Sequence, residues 1–380
     1  MIYFDNAATT KVSEKVLEKV IFSCKENFAN SSALHKLGYE SEQKIEQARK
    51  DISKIIGANQ NEVYFTSGAT ESNNMAILGS ALAYKKRGNK VITTKIEHPS
   101  VLNPFRELEK RGFNVVYLDV DNKGYVDINQ LINELDNETI LVSIMYVNNE
   151  IGTIQNIEHI AKIIKEKNKN TIFHTDAVQA FGKIKINVNN IDLMSVSGHK
   201  IHSLKGIGFL YIKNGVRLEK IIFGASQQNN MRSGTINNEG VISLACASKL
   251  AYENIDERYA HAKKIRNELI NLKNLLDDTT INGDEENGLP YIISLSFKNV
   301  KGEVLLHALE QKGIYVSTGA ACSNKGKKDF STIACVAYEN VGSTIRVSFS
   351  YENSIEEAKK FNEAILEIVP MLRKYQKKIK

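Results

Sequence analysis

No apolar run in the 380-residue sequence is long enough to span a bilayer, so a membrane-spanning helix is not expected. The opening MIYFDNAATT is neither basic nor continuously apolar, so no secretory leader is expected either. Cysteine is scarce. Cys24, Cys246, Cys322 and Cys335 show no CxxC spacing, which argues for free thiols rather than a disulfide framework and for a reducing cytoplasm. An excess of one charge is also missing. The formal net charge of +6 is mild for this length, and the basic C-terminal KYQKKIK reads as a solvated helix end. Aromatic residues are not interleaved with the basic ones, so direct nucleic-acid binding is not expected. There is no internal repeat and no low-complexity segment. A chain this long exceeds what one compact core organises, so two domains are expected.

What is present is an alternation. Seven β-rich apolar runs (NEVYFTSG, NKVITT, NVVYLDV, TILVSIMYV, TIFHTDAVQ, DLMSVSG and GIGFLYI) are separated by stretches such as VLNPFRELEKRG and IEHIAKIIKEKNKN, where apolar residues recur at helical spacing. That pattern predicts an α/β fold, a mostly parallel sheet covered on both faces, over residues 14–255. From residue 256 the character changes to a helix (RYAHAKKIRNELINLKNLLDD), the runs YIISLSFKN, EVLLHALEQKG, IYVSTG and TIRVSFS, and a final helix from about 354. The expected division is a large domain, 14–255, and a smaller α+β domain, 256–380, joined by residues 1–13, which cannot form a domain alone.

Several segments carry chemistry. TSGATESNN (66–74) follows a strand and opens a helix. Gly68, Ala69 and Thr70 can let the backbone approach an anion at the helix N-terminus, and a capped helix start is the equal alternative. His98, in IEHPSV, can lie against an aromatic ligand or move a proton, although a lone histidine is more often structural. FHTDAVQA ends a strand in Asp176, with Gln179 three residues on. An acid at the carboxyl end of a parallel strand sits where such sheets bind ligands, or else caps a turn. One strand later comes SVSGHKIHSLKGIGFLYI, with Lys200 after Ser197, Gly198 and His199. A lysine nucleophile must lose its proton and be held in place. The order of phosphate cradle, acid and lysine is what a pyridoxal phosphate enzyme needs. His199 and His202 lack a third ligand spaced nearby, so no metal site is expected. Lys205 reads as a turn charge before the next strand. STGAACSNKGKK (317–328) places Cys322 among small and basic residues, which favours a thiolate. Cys335 lies in an apolar run and reads as structural, with a redox partnership to Cys322 as the lesser alternative, and Cys24 and Cys246 lie in helical patterns and read as packing residues. Arg346, in RVSFS, offers a fork for a carboxylate, or is a surface strand arginine.

Taken together and in order, FDNAATT, ANSSALHKLG, TSGATESNN, EHPSV, NNEIGTIQ, HTDAVQ, SGHKIHSLKGIGFLYI, MRSGTINN, STGAACS and TIRVSFS resemble the cysteine desulfurases of the NifS/IscS type. These are class V aminotransferases of the fold-type I pyridoxal phosphate group. The resemblance runs almost end to end. It implies a fold-type I transferase, with a large domain built on a mostly parallel seven-stranded sheet and a smaller α+β domain. The small domain would carry the Cys322 loop, about 318–335.

The resemblance further implies that Lys200 is the Schiff-base lysine, that Asp176 pairs with the pyridine nitrogen and that Gln179 bonds the ring hydroxyl. His98 would stack on the ring and move protons. Ala69, Thr70, Ser197 and His199 would hold the phosphate, and Thr235 would reach the phosphate of a partner subunit in a homodimer. Asn149 and Arg346 would hold the carboxylate of L-cysteine. Cys322 would take its sulfur as a persulfide, release L-alanine and pass the sulfur to an iron–sulfur scaffold or a tRNA-thiolation acceptor. Two other readings use the same motifs: a selenocysteine lyase or cysteine-sulfinate enzyme, and a non-catalytic partner-binding member. The intact Lys200, Asp176, His98 and Cys322 argue against the latter. The chain departs from the family pattern at Ser203 and Leu204, and in GASQQ at Ala225, Ser226 and Gln228, with Asn229 in place of a frequent arginine.

Overall fold

The computed structural model describes residues 1–318 and 330–377. A short strand, β1 (Ile2–Tyr3), leads to helices α1 (Glu14–Glu26) and α2 (Lys36–Ile56). The next strands are β2 (Val63–Thr66), β3 (Lys90–Thr94), β4 (Asn114–Leu118), β5 (Thr139–Ser143), β6 (Ile172–Asp176), β7 (Leu193–Ser197) and β8 (Gly208–Ile212). All seven join one sheet in the order β2-β8-β7-β6-β5-β3-β4. Only β8 is reversed, running antiparallel to both β2 and β7. β3, β5, β6, β7 and β8 are buried along their whole length, which is why they read as continuous apolar runs rather than alternating ones. β4, at one edge, is half-exposed.

Helices α3 (Ala69–Tyr84), α4 (Pro99–Lys110), α5 (Ile128–Glu134) and α6 (Ile157–Lys167) lie between the strands in sequence. In α6, Ile157, Ile160, Ala161 and Ile164 form the buried stripe, and the Asn156 side chain caps its start by accepting from the His159 N–H. α3 buries Met75, Ala76, Ile77, Gly79, Ser80 and Ala81 against the sheet. Inside the sheet, His174 is fixed between the hydroxyls of Ser143 (2.8 Å) and Ser195 (3.0 Å), and burial pushes its pKa down to about 3. It is a neutral core residue.

After α7 (Asn238–Glu253), the expected long helix is broken at Asn271 into α8 (Ile255–Ile270) and α9 (Leu272–Leu275). β9 (Thr279–Asn282), β10 (Ile292–Phe297), β12 (Ser317–Thr318) and β13 (Thr344–Ser348) form an antiparallel sheet in the order β12-β13-β10-β9. α10 (Gly302–Gln311), β11 (Ile314–Tyr315), α11 (Thr332–Val336) and α12 (Ile355–Lys377) complete the chain. Cys24 corrects an expectation. It lies on α1 but on the exposed side, because the packed positions there are Val16 and Ser23.

The N-terminal segment docks between the two sheets. β1 pairs parallel with β11, and Ala7 N–H donates to Ser348 Oγ at 2.9 Å. Thr10 N–H then donates to the His199 carbonyl at 2.9 Å. This run carries the chain from the small sheet to the turn that holds Lys200.

Candidate active site

Asp176 ends β6, and Ser197 ends the adjacent β7. The 3-10 turn Gly198–Lys200 follows directly, while the turn after β2 delivers Gly68 and the start of α3. These ends open into a cleft of about 660 Å³. A cleft outside the carboxyl ends of parallel strands is where such sheets place ligands. The tight approach depends on glycine. Gly68 has φ +148°, and a Cβ on Gly208 would lie 2.4 Å from Val196 O and 2.8 Å from Gly68 Cα.

Lys200 Nζ donates to the carbonyls of Ala7 (2.7 Å) and Ala8 (2.6 Å). Its pKa is lowered from 10.5 to about 8. Burial is the main cause and the Arg346 charge adds to it, while Asp176 and Asp5 oppose both. Asp176 Oδ2 accepts from Asn73 Nδ2 at 2.8 Å, and Oδ1 accepts from the Val178 N–H at 3.0 Å. Asn73 also donates to Ser100 Oγ (2.9 Å), which lies 2.8 Å from His98 Nδ1. His98 caps α4, its Nδ1 accepting from the Ser100 N–H at 3.1 Å, so the neutral ring carries its proton on Nε2. Burial holds the His98 pKa below its ordinary value; Asp176 opposes that and Lys200 reinforces it. One polar chain therefore runs from Asp176 through Asn73 and Ser100 to His98.

Behind His98, Glu97 is fully buried. Oε1 accepts from the Met145 N–H (2.8 Å) and the Thr94 hydroxyl (2.9 Å), and burial pushes the carboxyl up to about 8. Arg346 on β13 donates to Asn149 O (3.0 Å) and Asp5 Oδ1 (2.7 Å), while its buried Nε has no hydrogen-bond partner among the described residues. His199 meets Thr9 Oγ1 at 3.1 Å, and its pKa falls to about 4 through burial and the charges of Lys200 and Lys205. It is neutral at pH 7.

The residues fit pyridoxal phosphate. Among the described residues the Asp176 carboxylate accepts hydrogen bonds only from neutral donors, an amide and a backbone N–H, and so suits a protonated ring nitrogen. Thr70 at the α3 N-terminus, Ser197 and Lys205 line the same cleft and bring donors and positive charge that suit a phosphate. Lys200 lines it too, with a depressed amine.

Of the residues singled out in the sequence, Ala69, Thr70, His98, Asn149 and Asp176 line this one cleft. So do Gln179, Ser197, His199, Lys200 and Arg346. Thr235 is exposed and outside the lining. Cys322 lies outside the described residues. Cys335 is half-buried on α11, and burial raises its thiol. Lys205 is a correction: it lines the cleft rather than serving only as a turn charge. Sequence reasoning also passed over Asp5, Asn73, Ser100 and Lys183. Asp5 and Asn73 stand inside the motifs FDNAATT and TSGATESNN, but only the fold shows which partners they meet.

A sequence profile of the aminotransferase class-V family matches residues 2–361. The chain is 39% identical to the cysteine desulfurase IscS of Clostridium botulinum (strain Hall), covering 100% of this chain and 96% of that protein. It is 41% identical to the putative cysteine desulfurase IscS 1 of Bacillus subtilis (strain 168), covering 98% and 99%. Among solved structures, a NifS-like protein superposes with a TM-score of 0.92 at 38% identity, covering 97% of this chain and 99% of that one.

Proposed function

The chain belongs to the aminotransferase class V family, and on that premise we propose how its residues perform the reaction of a cysteine desulfurase. It is a pyridoxal phosphate enzyme of fold type I, converting L-cysteine to L-alanine. When bound, pyridoxal phosphate supplies the electron sink that makes the carbon–sulfur bond breakable. The protein supplies binding, orientation and proton transfer.

Lys200 provides the amine. With its pKa near 8, roughly a tenth of it is neutral at pH 7 without a dedicated base. Asp176 holds the ring nitrogen protonated, its own position fixed by Asn73 and Val178. Gln179 donates to the ring oxygen. Ala69, Thr70, Ser197 and His199 hold the phosphate, with Thr235 reaching that of a second copy. Asn149 and Arg346 hold the substrate carboxylate, Arg346 being set by Asp5. His98 would lie against the ring, and its Nε2, left free of the Ser100 contacts, would carry the moving proton. Cys322 bonds to the substrate sulfur as the carbon–sulfur bond breaks, its electron pair staying on carbon. Protonation of that carbon yields alanine, and Cys322 keeps the sulfur as a persulfide.

The observation that carries this reading is the meeting, in one cleft, of a depressed lysine with a carboxylate whose hydrogen-bond donors among the described residues are all neutral. Residues 14–255 form the large cofactor domain in this reading, and 1–13 with 256–380 form the small one. A homodimer is favoured by the exposed apolar run Ile21, Phe22, Phe28, Leu34 and Leu37. Among the described residues no helix is long and apolar enough to cross a membrane. The proposed site of action is the cytoplasm, and the proposed acceptor is an iron–sulfur scaffold or tRNA-thiolation protein. The test is Cys322→Ser. The purified variant should stay yellow, absorb like the parent and release no sulfide from cysteine with a reductant present. Undiminished sulfide release would sink the persulfide role.

A further inference from the structure

Lys183 is the least expected group near the site. It is a lysine buried to 8% exposure behind the cleft wall, in the turns that follow β6. Phe181 N–H bonds to Ala177 O and Ile184 N–H to Ala180 O, a helical curl that puts positions 179 and 183 on one side. Lys183 Nζ donates to Gln179 Oε1 at 2.6 Å, and Gln179 Nε2 donates to Ala7 O at 3.0 Å. A carbonyl has no donor and a protonated lysine has no acceptor, so both contacts demand the same orientation of the amide, and the Ala7 contact alone still demands it when the amine is neutral. Oε1 must face inward and Nε2 must face Ala7 and the cleft. One of the two Nε2 hydrogens goes to Ala7. The other remains for a ligand, and Gln179 lines the cleft.

We propose that Lys183 is a positioning residue: by holding Gln179 Oε1 from inside the protein, it makes the amide present an N–H to the cofactor's ring oxygen and so tunes the proton equilibrium of the bound cofactor. This rests on the placing of Gln179 at that oxygen. The chemistry has a clear sign. A donor backed by a cation stabilises negative charge on the ring oxygen, and that lowers the basicity of the neighbouring lysine–cofactor nitrogen. An acceptor presented there would do the reverse. Burial brings the Lys183 pKa down to about 7, and the charges of Lys200 and Arg346 push the same way; His202 in turn feels Lys183. An amine donates to Oε1 whether or not it is protonated, so the orientation of the amide holds across that range. Only the added charge fades with rising pH.

The experiment is a pH titration of the yellow absorbance band of the holoenzyme, alongside the affinity of apoprotein for added pyridoxal phosphate. Lys183→Met removes donor and charge at similar length. The absorbance midpoint should rise by about one pH unit, and cofactor affinity should fall several-fold. Lys183→Arg keeps donor and charge and should hold the parent midpoint. If Lys183→Met does not fold, Lys183→Leu, which likewise lacks both donor and charge, should give a rise in the same direction. Unchanged midpoints in the uncharged variants overturn the proposal, as does an equal shift in Lys183→Arg, which would mean that packing alone is being read. Gln179→Met separates the two layers. If it leaves the midpoint alone, the placing of Gln179 at the ring oxygen is wrong. If it shifts the midpoint while Lys183→Met does not, only the role of Lys183 fails.

Discussion

Replacing Arg346 with leucine should change two properties at once, and their signs follow from the site. The Lys200 pKa is lowered from its ordinary 10.5 to about 8, with burial the larger cause and the Arg346 cation the next, against the opposing charges of Asp176 and Asp5. Removing a cation beside an amine raises the amine's pKa, by on the order of one unit for a nearby charge. Asp5, freed from its 2.7 Å pair, then pulls the Lys200 pKa further up. At pH 7 the neutral fraction of Lys200 therefore falls from roughly a tenth to roughly a hundredth. The assay is the rate at which apoprotein turns yellow after addition of pyridoxal phosphate, measured from pH 6 to 10. The variant should be about tenfold slower at pH 7, its inflection should move up from about 8, and the two proteins should converge at pH 10. In the holoenzyme, loss of the charged fork to the substrate carboxylate removes about 1.5–3 kcal/mol, so the cysteine KM should rise roughly 10- to 150-fold. An inflection that stays near 8 or moves down would refute the assignment of Arg346 as the cation that depresses Lys200.

Two further outcomes follow from buried groups. Glu97 has a folded pKa of about 8 against an ordinary 4.5, so between those values the folded chain holds a proton that the unfolded chain has lost. Its contribution therefore falls as pH rises through that window. Glu97→Gln keeps the acceptor for Met145 and Thr94, and in chemical denaturation at pH 5 and pH 8 it should gain stability over the parent as pH rises; a gap that shrinks would contradict the burial argument. Gly208→Ala drives a Cβ against Val196 O and Gly68 Cα. It should lose about 2–4 kcal/mol, with weaker cofactor retention, and an unchanged thermal melt would show that β8 yields easily.

The large sheet was legible because five of its seven strands are buried along their whole length and read as continuous apolar runs. The short strands β1, β9 and β11 span two to four residues and carry no period, so they were not. Motifs gave Lys200, Asp176 and Arg346 because strand ends and turns mark them locally. Asp5 and Lys183 were silent for a physical reason. Their partners are made by the fold, Arg346 lying 341 positions from Asp5, and a buried lysine looks like a surface lysine in the sequence. Lys205 is an exposed turn charge, as its place beside glycine suggests, but only the fold shows that it also lines the cleft. The Ser203 departure is absorbed internally, its hydroxyl lying 2.8 Å from Ser243 Oγ. Gln228 is likewise tied to Arg49 and to the Phe65 N–H.

The seat of the N-terminal segment sets an order of assembly. Ala7 must hold three things: Ser348, 341 positions later, Lys200, 193 later, and Gln179, 172 later. A ribosome makes Ala7 long before Ser348, so the large sheet can form during synthesis while the carbonyls that Lys200 bonds still lack their seat on the small sheet. Closing loops of that length is slow compared with local pairing. The reactive amine is thus set in place only after the small sheet exists, and an unfinished chain carries a lysine that its own fold has not yet positioned.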